Sequence, residues 1–254
     1  MKLYAEEHGD GHPLLLLTGL GYAIWSWRRQ LPEWSQHFRC IAVENRGTGR
    51  SPKQPGPTSI EEMADDAAEM LGGRRAHVCG YSMGGYLAQA LALRHPHLVE
   101  RLVLVSTATG GPEVAPTPAE TRESWLAHAD RPPPEFARAT MPLSFRPGWT
   151  DEHPDEYEEL LSSRLEFPTP AQSWRAQYDA CLVWASRPSP VEKLTVPTLV
   201  IHGDADRVVA YENGAALARR LPNARFETFR GGGHLLFIEE APRFNSMVTS
   251  FLTD

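Results

Sequence analysis

Lysine is almost missing from this 254-residue chain, with three lysines against 22 arginines. The basic residues form no run or stripe, and the net charge is −7. Nucleic acid and anionic membrane surfaces need concentrated positive charge, so neither is expected as a partner. Long apolar stretches are lacking too. No purely aliphatic run is longer than four residues, the length of Leu14–Leu17, far short of the roughly 20 residues that span a bilayer. Residues Met1 to Gly11 are polar and acidic, with no stretch of signal-peptide length, which points to a cytoplasmic protein. Cysteine is scarce. Cys40, Cys79 and Cys181 are too scattered for a metal site, and Cys40 and Cys79 fall in apolar runs that suit buried free thiols.

What is present is an ordinary globular composition, 41% hydrophobic and 22% charged, on a length that allows one domain carrying an insertion. Apolar strand-like runs alternate with helical patterns. Strands are expected at Leu14–Thr18, Phe38–Val43, Ala76–Tyr81 and Leu102–Ser106, and helices at Ile24–Gln36, Ser59–Leu71 and Met83–Arg94. Ser59 and Glu62 form a capping box, and Gly72 and Gly73 stop that helix. The alternation resumes with strands at Pro197–His202 and Ala224–Phe229 and helices at Ala210–Leu221 and Leu236–Phe251. This is an α/β fold with a mostly parallel central sheet and helices on both faces. Residues from about 108 to 193 break the pattern, holding 13 of the 22 prolines and only helical periodicities. Trp174, Tyr178, Cys181 and Ala185 form one stripe, and Tyr157, Leu160, Leu161 and Leu165 another. The expected division is a core of 1–107 and 194–254 with an inserted helical cap at 108–193.

Chemistry concentrates at Gly80-Tyr81-Ser82-Met83-Gly84, between an apolar strand and a helix. This G-x-S-x-G pattern sets a serine on a sharp strand-to-helix turn, where the glycines let strand and helix approach without Cβ clashes. The helix start aims N–H groups at the serine and favours negative charge there. A serine hydroxyl needs a base. Of ten histidines, His234 stands out because it follows Gly231-Gly232-Gly233 in the loop before the last helix. His202 lies within a strand and suits a structural role. The acid belongs after the penultimate strand, in Gly203-Asp204-Ala205-Asp206, giving the order Ser…Asp…His. Developing oxyanion charge needs donors. The N–H of Met83, after the nucleophile, is one, and the turn Thr18-Gly19-Leu20-Gly21 offers the N–H of Leu20 as the other.

These segments resemble the α/β-hydrolase superfamily, in particular small carboxylesterases and β-ketoadipate enol-lactone hydrolases with a helical cap. The likeness covers nearly the whole chain outside the cap. Its Gly-x-x-Asp pattern places the acid at Asp206 and leaves Asp204 to brace the turn. Glu44-Asn45-Arg46-Gly47-Thr48-Gly49-Arg50-Ser51 looks like the family's Asp-x-Arg-Gly-x-Gly-x-Ser loop, with Glu44 replacing aspartate. Thr18 stands where the family most often has histidine, which leaves the bracing of the oxyanion loop unexplained. With serine at the nucleophile position, the aspartate-dependent dehalogenases and epoxide hydrolases do not fit.

The resemblance implies a serine hydrolase with the triad Ser82, Asp206 and His234, an oxyanion hole at Leu20 and Met83, and no metal or organic cofactor. Its expected partner is a small-molecule ester or lactone. Trp125, Met141, Phe145, Trp149 and Trp184 are candidates to line an apolar acyl pocket, against the alternative that such side chains pack the cap onto the core. Related chemistries on the same triad are C–C bond hydrolysis, perhydrolysis and proline iminopeptidase-type amide cleavage. A non-catalytic receptor would not need all three triad residues.

Overall fold

In a computed structural model of the chain, residues 1–53 and 56–254 are described. In chain order the elements are strands β1 (Ala5–His8) and β2 (His12–Leu17), helix α1 (Leu31–Trp34), β3 (Phe38–Val43), α2 (Ile60–Met70), β4 (Ala76–Tyr81), α3 (Met83–Arg94) and β5 (Val99–Val105). Five helices follow without a strand: α4 (Ala119–His128), α5 (Pro133–Thr140), α6 (Trp149–Glu152), α7 (Pro154–Glu166) and α8 (Ala171–Ser186). Then come β6 (Thr198–Gly203), α9 (Tyr211–Arg220), β7 (Ala224–Phe229), α10 (Leu236–Glu239) and α11 (Ala241–Thr253). The seven strands form one sheet in the order β1-β3-β2-β4-β5-β6-β7, parallel except for β1.

The central strands are apolar on both sides because helices cover both faces. Leu14–Leu17, Val78, Cys79 and Leu102–Val105 are all fully buried. Alternate residues of β2 point to opposite faces. Leu15 and Leu17 pack with α2 and α3 in one core cluster, and Leu14 and Leu16 pack with Trp27, Trp34, Phe237 and Phe244 in the other. The Ser59–Glu62 capping box is present in full. Cys40 and Cys79 are buried free thiols.

Three expectations change. The helix expected over Ile24–Gln36 is a 3-10 turn at Ile24–Trp27 followed by α1, because Pro32 suits only a helix's first turn. The closing helix is likewise split at Glu240, since Pro242 opens α11. Edge strand β1 lies in the polar, acidic N-terminus, ahead of the first strand expected from the sequence. Its partly exposed residues carry no apolar alternation, and pairing with β3 holds it. Among the described residues, no helix is long and apolar enough to cross a membrane.

Candidate active site

Ser82 caps α3 with φ 54° and ψ −123°, a left-handed conformation that a side chain adopts only under strain. The surroundings hold it there. The Ser82 N–H donates to the Val105 carbonyl at 2.9 Å, and Thr107 Oγ1 donates to the Ser82 carbonyl at 2.8 Å. The flanking glycines are sterically required. A Cβ on Gly80 would stand 2.2 Å from the Gly84 carbonyl oxygen, and one on Gly84 would stand 2.3 Å from that of Leu17.

The two candidate oxyanion donors lie beside this turn. A Cβ on Gly19 would be 3.3 Å from Ser82 Cβ, so the loop after β2 runs against the serine. Met83 opens α3, and its N–H has no acceptor within the helix. The Leu20 N–H donates to no backbone group among the described residues. The loop is braced without the histidine common at the Thr18 position. Asn45 Nδ2 donates to both the Thr18 carbonyl (3.1 Å) and Thr18 Oγ1 (3.2 Å). Buried Gln177 of α8 accepts from the Gly21 N–H at 3.0 Å and donates to the Arg46 carbonyl and Thr48 Oγ1. Glu44 fits in place of aspartate because Gly49, at φ 54°, has no Cβ to strike its carboxylate. That carboxylate accepts from the Arg50 backbone and pairs with its guanidinium.

Asp206 follows β6 and is buried. Its Oδ2 accepts from His234 Nδ1 at 2.8 Å, and its Oδ1 accepts from the N–H groups of Val208 (2.7 Å) and Val209 (3.0 Å). His202 is a further neighbour that strand periodicity gave no reason to place here. Its Nε2 lies 3.2 Å from Asp206 Oδ2 and 3.0 Å from the Val209 carbonyl. Both are acceptors, so Nε2 carries the hydrogen. Burial alone pushes the Asp206 carboxyl up, but the charge of His234 and the hydrogen bonds from both histidines outweigh it and hold the group well below the usual carboxylate range. Asp204 instead accepts from the Gly231 N–H at 2.5 Å, bracing the glycine loop before His234.

A second carboxylate supports that loop. Glu239 accepts from the N–H of Gly233 at 2.9 Å and from that of Arg146 at 2.7 Å, and burial raises its pKa. Among the described residues no hydrogen bond joins Ser82 Oγ to His234, as is common before substrate tightens a site.

Ser82, Leu20 and Met83 line one cavity of about 270 Å³. Its far wall includes Trp125 of α4 and Tyr178, Cys181 and Ala185 of α8, three of the four residues in the first helical stripe. The other four aromatic or apolar candidates do not line this cavity, and packing explains why. Phe145 and Trp149 stack at 4.3 Å and, with Met141, join the core cluster of Trp27 and Phe237. Trp184 packs against Tyr86, 6.2 Å between ring centroids. A wider depression of about 520 Å³ between Pro57–Glu61 and α8 contains no part of the Ser, His and Asp cluster. The one grouping of metal-type ligands among the described residues is His12, His77 and Glu100, at the strands' opposite ends from Ser82.

A seven-stranded, mostly parallel sheet with a strained serine, a histidine and an aspartate at its C-terminal edge defines an α/β-hydrolase arrangement. The family model for the alpha/beta hydrolase fold matches residues 12–241, and the chain belongs to that family. It is 30% identical to a "Putative carbamate hydrolase RutD" of Azorhizobium caulinodans, over 98% of this chain and 94% of that protein. It is 31% identical to a "2-hydroxymuconate semialdehyde hydrolase" of Pseudomonas sp. strain CF600, over 98% and 89%. The solved enol-lactonase of Burkholderia xenovorans LB400 superposes with a TM-score of 0.87 at 27% identity, covering 99% of this chain and 96% of that one.

Proposed function

We propose that this hydrolase cleaves small to medium carboxylic esters or lactones through an acyl-serine intermediate. The observation that carries the reading is the strained Ser82 on the cavity wall, with the Asp206–His234 pair at the same sheet edge. In this scheme Ser82 Oγ attacks the carbonyl carbon while His234 Nε2 takes its proton. Asp206 holds Nδ1–H and stabilises the imidazolium. The tetrahedral oxyanion rests against the N–H groups of Leu20 and Met83. His234 then protonates the leaving alkoxide, and water, deprotonated by His234, releases the acid and restores Ser82.

The helices between β5 and β6 act as a lid that bounds the acyl pocket. A cavity of about 270 Å³ suits a modest ligand, so short acyl chains are favoured over long-chain fat. The likeness to an enol-lactonase supports the lactone side of the reading. The likeness to a 2-hydroxymuconate semialdehyde hydrolase favours a second reading, C–C bond hydrolysis on the same triad. A panel of 4-nitrophenyl acyl esters, enol-lactones and vinylogous diketones, run beside fluorophosphonate labelling, separates them. The proposal expects labelling at Ser82 and ester or lactone turnover that Ser82→Ala abolishes. Turnover of diketones alone moves the assignment to the second reading, and absence of labelling removes both.

A further inference from the structure

At the N-terminal ends of the central strands, opposite the Ser82 edge, one donor atom each of His12, His77 and Glu100 lies within 4.8 Å of the other two. The register of the sheet explains the grouping. Leu14 of β2 pairs with His77 of β4, so His12, two residues earlier, points to the same face as His77. On the other side of His77 the pairing slips by one residue. Ala76 pairs with Val99 and Val78 with Leu102, which sets both Glu100 and Arg101 of β5 against His77. Such a bulge is uncommon between parallel strands, and its effect is to re-aim a side chain. Val99 and Leu102 both stay in the first core cluster, and Glu100 turns towards the histidines.

Ordinary pairing does not account for these side chains. His77 is 4% exposed, and its Nδ1 is buried without a hydrogen-bond partner. The Leu252 carbonyl acts on the ring from α11, but one carbonyl can accept from only one ring nitrogen, which leaves the other a lone pair with no donor. A buried polar atom in that state costs free energy. Burial, aided by the His12 charge, pushes the His77 pKa down to about 4, so the ring is neutral and free to coordinate. In a chain with 22 arginines, the only ionic partner of Glu100 among the described residues is His12, at 3.3 Å. Arg101 turns instead to α11, donating to the Phe251 carbonyl at 3.2 Å and lying over that residue's ring.

Two imidazoles and a carboxylate form a zinc ligand set, whereas magnesium and calcium prefer oxygen alone. Ligands on a tetrahedral zinc with bonds of about 2.1 Å stand about 3.4 Å apart. His12 and Glu100 are already at that separation. His77 is the fixed corner, and exposed His12 and half-buried Glu100 have room to close on it. We infer that His12, His77 and Glu100 bind a zinc ion that ties β2, β4 and β5 together at the end of the sheet remote from Ser82. The ion gives the His77 lone pair a partner, while the Leu252 carbonyl orients the ring from behind. Its role is structural, and no step of the reaction runs through it.

Calorimetric titration of chelator-treated protein with zinc chloride tests the site, with wild type run beside His12→Ala, His77→Leu and His234→Ala. Wild type and His234→Ala should each bind one zinc per chain with matching affinity. His12→Ala, a change at an exposed strand end, should bind at least about 100-fold more weakly, because losing even an outer partner of a ligand costs about 10- to 100-fold. Zinc at about a hundredfold excess over Kd should raise the wild-type Tm by about 5–10 °C. The rise should shrink to under about 2 °C in His77→Leu, whose apolar side chain suits the buried position and cannot coordinate. If His77→Leu does not fold, His12→Ala decides. Absence of zinc binding in wild type overturns the inference, as does binding that survives His12→Ala to within about twofold. Binding lost in His234→Ala also overturns it, since the ion would then sit at the Ser82 edge.

Discussion

Ser82 and Trp125 face one cavity from two walls whose construction differs. On the sheet wall, the position of each group follows from backbone. Ser82 sits in a left-handed turn, Gly80 and Gly84 close to carbonyl contact, and Gly19 leaves no room for a side chain between itself and Tyr81 and Ser82. On the helical wall, positions follow from side-chain packing. Trp125 meets Trp174 and Tyr178 edge-on at 6.0 Å, and Tyr178 stacks on Trp174 at 5.1 Å. Backbone geometry demands particular residue types at particular spacings. Packing accepts any apolar side chain of suitable volume. Under the proposed function, chemistry falls to the first wall and the choice of substrate to the second, so changes on the two walls should fail in different ways.

The largest failure is expected on the sheet wall. Ser82→Ala or His234→Ala should lower kcat by about 10⁴- to 10⁶-fold, with the fold intact by circular dichroism, and the double variant should be little worse than either single one. Steady-state kinetics on a contamination-free preparation checks this, and multiplicative losses would show that the two residues do not act as a unit. Asp206→Asn should follow at about 10⁴-fold, because asparagine permits the wrong imidazole tautomer.

Asp206 also makes a pH prediction. Its folded-state pKa is depressed, so its contribution to stability is complete above the unfolded value of about 4 and is lost as pH falls through the folded value. Wild-type Tm should therefore fall on acidification from about pH 6 to about pH 3 more steeply than that of Asp206→Asn. Parallel Tm curves would mean that the carboxylate is not held by its histidines.

The same contrast explains what could be read from the sequence. β4, α3 and β7 begin and end where expected, because a continuous apolar run between turn residues admits one assignment. Ser82, Asp206 and His234 were legible as candidates because sharp turns and glycine loops leave marks in residue type. His202 was not legible as a neighbour of Asp206. It is one polar residue in a buried strand, and only the loop returning over it brings the carboxylate within 3.2 Å. Glu239 and Gln177 were silent for a similar reason, since each ties down a backbone N–H far away in sequence, that of Arg146 for Glu239 and that of Gly21 for Gln177. On the helical wall, the Trp174-Tyr178-Cys181-Ala185 stripe was visible as periodicity, but periodicity does not say whether a stripe faces the cavity or the core. Met141, Phe145 and Trp149 face the core.

That ambiguity gives the next pair of experiments. Phe145→Ala removes a fully buried ring stacked on Trp149 and should cost roughly 3–5 kcal/mol of stability, read from chemical denaturation. Trp125→Ala opens the cavity wall instead. It should leave Tm nearly in place and raise KM for apolar acyl esters about tenfold, the effect of roughly 1–2 kcal/mol of lost apolar contact. If Phe145→Ala raised KM while holding its stability, the two residues would have exchanged walls.

The smallest expected effect is the most discriminating for the acid turn, where Asp204 and Asp206 are two residues apart. Asp206 meets four polar partners: two histidine rings and the N–H groups of Val208 and Val209. Asp204 has one hydrogen bond, from the Gly231 N–H to its Oδ1, and it is exposed. Asparagine keeps that oxygen as an acceptor and loses only a charge that water screens, so Asp204→Asn should cost under about 1 kcal/mol of stability. Its kinetic effect should be a few-fold at most, through slight loosening of the loop before His234. Asp204→Ala removes the acceptor as well, and should lower kcat further than Asp204→Asn while still falling far short of Asp206→Asn. Measuring kcat for the three variants on one ester ranks the turn's two carboxylates directly. A loss at Asp204→Asn comparable to that at Asp206→Asn would mean that the charge at 204, and not merely its oxygen, serves His234.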